Sequence, residues 1–157
     1  MKPSSVDRTI AAAKDLGLAI ELREMTASTR TAEEAAQACD CMLGQIVKSL
    51  VFQGAESNAL HLLLIAGNNQ ADLAMTEQNV GEKLIRADPK KVRKETGFAI
   101  GGVAPIGHLV PLPIWMDETL LEYYNVWAAA GAPNTVFKVS PSMLAEKIGA
   151  KVSKLAP

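Results

Sequence analysis

Helical spacing of apolar residues, bounded by capping residues, predicts five helices. Ser4 with Asp7, and Thr31 with Glu34, have the spacing of helix-initiating capping boxes, and Gly17 suits the end of the first helix. An Asp-Pro pair and a Ser-Pro pair each supply an N-cap followed by proline at the first helical position. The predicted helices are the segment from Ser4 to Gly17, then residues 31–39, 76–85, 88–95 and 140–148.

Alternating or continuous apolar runs predict the strands. Residues 18–25 alternate apolar and polar positions, as in a half-exposed strand, whereas residues 45–52 are apolar on both faces, as in a central strand. Residues 61–65 follow after a short polar turn at 56–58, so we expect these two strands to pair in antiparallel fashion. Further strands are expected within 109–116, where Pro111 and Pro113 interrupt the run, and at 127–130 and 136–139.

The order of these elements predicts the fold class. It is neither a regular βαβ repeat nor a run of strands followed by a run of helices. We therefore predict an α+β protein, with a mixed, strongly curled or barrel-like β-sheet surrounded by helices. A length of 157 residues, without linker or repeat, favours a single domain over 1–157.

Composition excludes several classes of function. The 16 basic and 17 acidic residues leave a formal charge of −1, which argues against a protein that coats DNA or RNA through a global basic field. Cys39 and Cys41 are too close for an ordinary disulfide and lack a second ligand pair for structural zinc, so we expect reduced thiols, no metal and no cofactor. No secretory signal or membrane span is evident, and a cytoplasmic location with no membrane partner is expected.

A glycine-rich apolar segment, residues 96–108, is the most informative part of the chain. It has four glycines and Pro105 in a stretch without charge before His108. Glycine lets a ligand approach the backbone and permits positive φ, while proline fixes the local conformation. This composition predicts a backbone-lined wall facing a small molecule or another chain; a tight turn between buried strands is the structural alternative.

Lys48 lies in the middle of the predicted strand 45–52, on the same face as Ile46, Leu50 and Phe52. An ammonium in such a place needs an anionic or strongly polar partner. It could bind a phosphate or carboxylate through its charge, or, with a lowered pKa, act as a base or nucleophile. A lysine that discourages edge-strand aggregation, or that reaches the surface, is the structural alternative.

Other polar residues offer weaker signals. Six cations lie within twelve residues, which suits either a solvated helix face or a surface that tracks phosphates. His61 is expected to be structural, His108 to have a surface role, and Asp117 with Glu118 to cap the turn that follows. The six cations are Lys83, Arg86, Lys90, Lys91, Arg93 and Lys94.

The ordered set of motifs resembles the YbaK/EbsC family of aminoacyl-tRNA deacylases, which is related to the editing insertion domain of bacterial prolyl-tRNA synthetases. The resemblance spans nearly the whole chain. It is carried by TAEEAA at 31–36, QIVKSLVF at 45–52, TGF at 96–98, GGVAPIG at 101–107, LPI at 112–114 leading to 117–118, AGAPN at 130–134 and the helix after 140–141.

The resemblance implies a stand-alone hydrolase that removes a wrong, small amino acid from tRNA(Pro) or a related tRNA. Lys48 aligns with the family's essential lysine, which anchors the terminal adenosine and its phosphate. Gly101 and Pro105 align with the ends of a Gly-x-x-x-Pro loop that positions the ester carbonyl, so Lys48, Gly101, Gly102 and Pro105 are assigned catalytic roles.

The positions where this sequence differs from other members of the family indicate which amino acid is removed. Ala104 stands where many relatives have serine, and residues 132–135 differ from cysteine-specific members, so alanine or a similar residue is preferred over cysteine. The expected substrate-binding residues are Ile46, Val103, Ala104, Asn134 and Thr135. The implied partners are the mischarged tRNA acceptor end, contacted by the six cations, and an aminoacyl-tRNA synthetase.

Two rival functions stay open from the residues alone. A noncatalytic module could hold an aminoacylated end or a nucleotide in the same cleft. A Schiff-base enzyme would instead form a covalent adduct between Lys48 and a carbonyl metabolite.

Overall fold

The computed structural model describes residues 4–26, 29 and 31–157. In this part of the chain, five helices and eight strands form an α+β arrangement, with two short 3₁₀ helices, Leu43–Gln45 and Glu118–Glu122, between them. The helices are α1 (Ser5–Leu16), α2 (Ala32–Cys39), α3 (Leu73–Val80), α4 (Pro89–Thr96) and α5 (Pro141–Ile148). The strands are β1 (Glu21–Glu24), β2 (Val47–Gly54), β3 (Leu60–Ala66), β4 (Leu84–Arg86), β5 (Ile114–Asp117), β6 (Val126–Ala132), β7 (Thr135–Val139) and β8 (Lys151–Ser153).

The helix boundaries follow from their caps. Ser4 forms a reciprocal capping box with Asp7, and Gly17 ends α1 in the left-handed conformation with φ of 68°. The Thr31 side chain accepts a hydrogen bond from the Glu34 amide at the start of α2. Asp88 and Ser140 cap α4 and α5 in the same way. The predicted helices that begin at Ser4, Thr31, Asp88 and Ser140 are therefore confirmed.

Several predicted elements are corrected. The helix expected over 76–85 is wrong at both ends: Asp72 caps α3 four residues earlier, and residues 84–86 form β4 because they pair with the end of β2. The strand expected at 18–25 shortens to β1, and the run 109–116 yields only β5, after its two prolines. The short strand β8 was not predicted.

The strands form two sheets rather than one continuous sheet. One has the order β1-β7-β6, and the other has the order β4-β2-β3-β5-β8. A parallel bridge between Ile46 and Trp127 connects them at the start of β2. The large core lies between the sheets and includes Val47, Val51 and Phe137, while a second cluster around Leu63 and Ile65 fills the other face of β3. β2 pairs with β3 in antiparallel fashion, as predicted.

This division leaves part of β2 open. β3 pairs with one edge of β2 along residues 47–53. On the opposite edge, β4 pairs only with residues 52–54, and β6 forms a backbone bridge only to Ile46, directly before the strand. Residues 48–51 of that edge therefore have no strand partner in the described chain, and a cavity lies beside them. No helix among the described residues is long and apolar enough to cross a membrane.

Candidate active site

Lys48 extends from β2 and is half-buried. Its Nζ donates a hydrogen bond to the backbone carbonyl of Asn69, in the turn that follows β3. Within the described ranges, Lys48 forms no salt bridge. Its partner is thus a neutral carbonyl, and no carboxylate at contact distance neutralises its charge. Such an ammonium can bind an anionic or strongly polar ligand group.

Helix α2 supports the junction of the two sheets next to this lysine. Ala35, Ala36 and Cys39 form one apolar cluster together with Ile46 and Trp127. Ile46 is only 5% exposed, and it bridges to β6 immediately before β2 begins. The packing of α2 therefore fixes Ile46, two residues before Lys48.

The glycine-rich segment begins where α4 ends. Gly97 closes α4 in the left-handed region with φ of 80°, and Phe98 is buried. Gly101 has φ of 87°, a conformation that L side chains rarely adopt. The Gly102 amide donates to the carbonyl of Ala99 at 2.9 Å, which closes a tight turn. The predicted shaped backbone is present, and the turn conformation requires glycine at 101.

His108 and Arg8 hold this segment in place. The His108 Nε2 lies 2.7 Å from the Ala104 carbonyl oxygen, and burial lowers the pKa of this histidine. The Arg8 guanidinium donates to the Gly97 carbonyl and stacks over the Phe98 ring at 5.1 Å. His108 is therefore half-buried and stabilises the loop, which is a more internal role than the predicted surface one.

Two adjoining cavities flank the turn at Gly101. The first, of about 310 Å³, has Lys48, Ser49 and Thr31 on its walls, together with Ile46 and Val103. The second, of about 470 Å³, is bordered mainly by alanine and glycine residues, together with one proline, one isoleucine and one valine. Thr29, Gly101 and Ala129 border both cavities. The lysine and the glycine-rich segment therefore meet at one site, with a polar half and an apolar half.

Two residues of the segment that border the smaller cavity, Gly101 and Val103, have backbone amides outside the hydrogen bonds of the turn. Among the described residues, the amides of Gly101 and Val103 have no hydrogen-bond partner, whereas the Gly102 amide is occupied by its turn. Free backbone N–H groups can stabilise an oxygen that gains negative charge. The walls formed by described residues carry no carboxylate, imidazole or thiol. This site can therefore bind an anionic group through Lys48 and polarise a carbonyl through amides.

A family profile described as an aminoacyl-tRNA editing domain matches residues 26–147, which include every wall residue of both cavities. The chain belongs to this family. The editing domain is 32% identical over 132 residues to "Uncharacterized protein YwhH" of Bacillus subtilis (strain 168), covering 84% of this chain and 83% of that protein. It is 26% identical over 115 residues to "Putative Cys-tRNA(Pro)/Cys-tRNA(Cys) deacylase EbsC" of Enterococcus faecalis (strain ATCC 700802 / V583), covering 73% of this chain and 70% of that protein.

A solved structure is also similar to the editing domain. It is described as "Crystal structure of a putative trans-editing enzyme for prolyl tRNA synthetase", and it superposes with a TM-score of 0.91 at 46% identity, covering 100% of this chain and 99% of that chain. The resemblance to the YbaK/EbsC family is confirmed, as is the α+β fold. This editing domain is an aminoacyl-tRNA deacylase, an ester hydrolase.

The editing domain contains a polar site residue that sequence reasoning missed. Ser49 follows Lys48 and lines the smaller cavity, and its Oγ is buried without a hydrogen-bond partner in the structure. A buried hydroxyl without a partner is costly and suits a ligand contact. The signal in the sequence was a serine within an otherwise apolar strand, directly beside the lysine.

Four assigned residues of the editing domain do not line either cavity. Ala104 is fully buried beneath the segment, and Pro105 borders a separate groove against α1. The Asn134 side chain donates to the Met25 carbonyl at 3.1 Å, and Thr135 is 6% exposed and donates to the Asn134 Oδ1. A direct contact of these four residues with substrate therefore has no geometric support in this structure.

The six cations of the editing domain lie on β4, α4 and the turn before β4. Lys91 pairs with Glu95 at 2.8 Å, while the other five are exposed. On α4, the spacing of Lys90, Arg93 and Lys94 places them on one face. Because Arg86 of β4 pairs with Phe52, it lies about 13 Å along β2 from Lys48. None of the six cations borders either cavity.

The remaining chemistry-bearing residues of the editing domain are structural. Asp117 is 1% exposed and caps the second 3₁₀ helix through the Thr119 amide, as predicted. His61 is buried in β3, where burial lowers its pKa. Burial raises the pKa of Cys39 to about 11, so this thiol is inert at neutral pH. No group of three or more potential metal ligands occurs among the described residues.

Proposed function

We propose that this deacylase removes a small aliphatic amino acid, alanine or a close analogue, from tRNA(Pro) or a related tRNA, acting in trans as a separate editing protein. The observation that carries the proposal is that Lys48 and the turn at Gly101 border the same cavity. The solved structure described as that of "a putative trans-editing enzyme for prolyl tRNA synthetase" supports the choice of tRNA.

Lys48 anchors the terminal adenosine through its phosphate or ribose. Its charge has no carboxylate partner within the described residues, and its hydrogen bond to the Asn69 carbonyl uses only one of three ammonium protons. Ser49 offers a second polar contact in the same cavity. A charge-assisted hydrogen bond of this kind contributes about 1.5–3 kcal/mol to binding.

The amides of Gly101 and Val103 polarise the ester carbonyl. As water, assisted by a hydrogen bond to the free ribose hydroxyl of the tRNA, attacks the carbonyl carbon, the carbonyl oxygen gains negative charge and these amides stabilise it. The bond to the ribose oxygen then breaks, the ribose oxygen takes a proton, and the amino acid leaves. Since the described walls carry no carboxylate, imidazole or thiol that could act as a base or activate a hydroxyl, the rate enhancement comes from positioning and electrostatic stabilisation.

The apolar cavity favours a small side chain. Ala129, Ala132 and Val136 contribute its walls, and none of them offers a hydrogen bond to a polar side chain. Cysteine is the competing substrate, because the EbsC relative is named for Cys-tRNA. An apolar pocket separates side chains by only about 1–3 kcal/mol per methylene, so recognition of the tRNA has to protect correctly charged molecules.

A deacylation panel tests this proposal. Release of radiolabelled alanine, 2-aminobutyrate, cysteine and serine is measured from mischarged tRNA(Pro), with correctly charged prolyl-tRNA(Pro) as the reference. We expect fastest release of an aliphatic residue, and loss of at least about tenfold in kcat/KM for the Lys48→Ala variant, from the lost charge-assisted bond. The Lys147→Ala variant, which removes an exposed lysine of α5, is the matched control.

The same panel separates the rival functions. Binding of the charged tRNA without release would establish a noncatalytic module. Full turnover by a folded Lys48→Ala variant would remove Lys48 from the mechanism. A borohydride-trapped adduct at Lys48 would instead indicate Schiff-base chemistry.

A further inference from the structure

The ammonium of Lys48 is held by a neutral group whose own position is fixed from another strand. Asn69 presents its backbone carbonyl to the Lys48 Nζ. The Asn69 amide donates to the Ala66 carbonyl at 2.9 Å, which closes the turn after β3. A turn outside regular structure is the less rigid partner in this pair, so its orientation depends on further contacts.

The Asn69 side chain supplies those contacts. Its Nδ2 donates to the Asp117 Oδ2 at 2.9 Å and to the Thr119 Oγ1 at 3.1 Å. Both acceptors lie where β5 passes into the second 3₁₀ helix. The carbonyl that meets Lys48 is therefore fixed to β5 by the side chain of the same residue.

Asp117 is the fixed end of this chain of contacts. Its Oδ2 also accepts from the Ala66 amide at 3.1 Å, and its Oδ1 accepts from the Thr119 amide at 3.0 Å. The carboxyl group is 1% exposed, and burial of such a group costs several kcal/mol unless donors surround it. These donors tie the end of β3 and the turn at Asn69 to one point, and the end of β3 is paired with the start of β2.

We propose that Asp117 and Asn69 are positioning residues that set the location of the Lys48 ammonium for substrate. This inference rests on the proposed role of Lys48 as the anchor of the terminal adenosine. Asn69 acts through its carbonyl, and Asp117 acts through Asn69. Removal of the Asn69 side chain leaves the lysine and its charge in place but releases the turn that aligns them.

A double-mutant cycle tests the coupling independently of turnover. The ligand is 3′-alanylamido-3′-deoxyadenosine 5′-monophosphate, whose amide resists hydrolysis, and its Kd is measured for wild type, Asn69→Ala, Lys48→Met and the double variant. We expect Asn69→Ala to weaken binding about 10- to 100-fold, the scale of a misplacement of about 1 Å. In the Lys48→Met background, Asn69→Ala should cause no further loss.

Controls separate positioning from folding. Asn68→Ala removes the exposed neighbouring amide and should leave Kd unchanged. Asp117→Asn should reproduce the coupling to Lys48, and it is measured well below its own unfolding temperature because this carboxyl group also supports the fold. Kinetics on mischarged tRNA should show the same loss in kcat/KM for Asn69→Ala as the binding measurement.

The outcomes distinguish the two proposals. Equal weakening by Asn69→Ala in both backgrounds would overturn the positioning role while leaving the deacylase proposal intact. Coupling of the expected size, with no turnover of any charged tRNA, would overturn the proposed substrate and support the positioning role. Failure of the wild-type protein to bind the probe would overturn both.

Discussion

Gly101 and Gly102 are adjacent, but the structure gives them different reasons to be glycine. Gly101 has φ of 87°, and a Cβ built there would meet nothing within 4 Å. Gly102 lies outside the left-handed region, and a Cβ there would meet only the Ala99 carbonyl oxygen at 3.7 Å, an ordinary contact. Substitution at 101 is therefore opposed by the backbone, whereas substitution at 102 is not.

The expected stability changes follow from that difference. A left-handed conformation costs a non-glycine residue about 1–2 kcal/mol, so Gly101→Ala should lower the free energy of unfolding by that amount. For a chain of this size, the loss corresponds to a decrease of roughly 2–8 °C in Tm. Gly102→Ala should leave Tm unchanged, because neither its φ nor its surroundings oppose a methyl group.

The activity of the Gly102→Ala variant is the decisive measurement. Gly102 borders the apolar cavity, so the added methyl group would stand between the substrate and the backbone. Displacing the reacting ester by about 1 Å can cost on the order of 100-fold in rate. We therefore expect a protein of native stability whose kcat/KM for deacylation falls about 100-fold.

Thermal unfolding and single-turnover deacylation of the two variants test this reasoning together. Full activity in Gly102→Ala would show that substrate does not approach the backbone at this point. An unchanged Tm in Gly101→Ala would show that the turn tolerates a side chain, and would remove the conformational explanation for glycine at 101.

Two further predictions concern groups outside the cavities. Burial lowers the pKa of both histidines, His61 and His108, so the unfolded state binds more protons below about pH 6.5, and the urea midpoint should fall as pH decreases from 7 to 5.5. His61→Gln should reduce that dependence, and an unchanged slope would refute the contribution of His61. Charge reversal of Lys90 and Lys94 to Glu should weaken tRNA binding and reduce its salt slope by roughly 1.4–1.8, from two phosphate contacts. Equal loss in a Lys147→Glu control would indicate a general charge effect instead.

Local signals predicted most of the secondary structure because they act within a few residues. The cap residues Ser4, Thr31 and Ser140 each accept an amide hydrogen bond three residues ahead, so their sequence spacing is sufficient information. Strand β3 is buried along its whole length, and its continuous apolar run predicted it. In contrast, β4 contains an exposed arginine and forms only because the end of β2 provides a partner.

The sequence predicted the lysine and the glycine-rich loop of the site, but it did not predict the residues that hold them in place. Lys48 and Gly101 carry unusual residue types for their positions, which made them visible in the sequence. Asn69 contacts Lys48 through a backbone carbonyl, a group that every residue possesses, so no residue type marks the contact. Asn134 has a side chain suited to a pocket, yet it binds the Met25 carbonyl, a choice set by tertiary packing.

The gap between the two sheets explains how a lysine on a strand and a glycine-rich turn can form one site. A charge on a strand that is paired along one edge and fixed at both ends of the other has little freedom, while residues 48–51 stay open to ligand. The glycine turn then needs only to supply amides, and these are held by His108 and Arg8 from outside the cavity. Under the proposed mechanism, the rate enhancement depends on the distance between β2, which carries Lys48, and the glycine-rich turn. Changes at Ala36 or Cys39 of α2, which pack in the same cluster as Ile46 and border neither cavity, should therefore alter kcat without touching substrate.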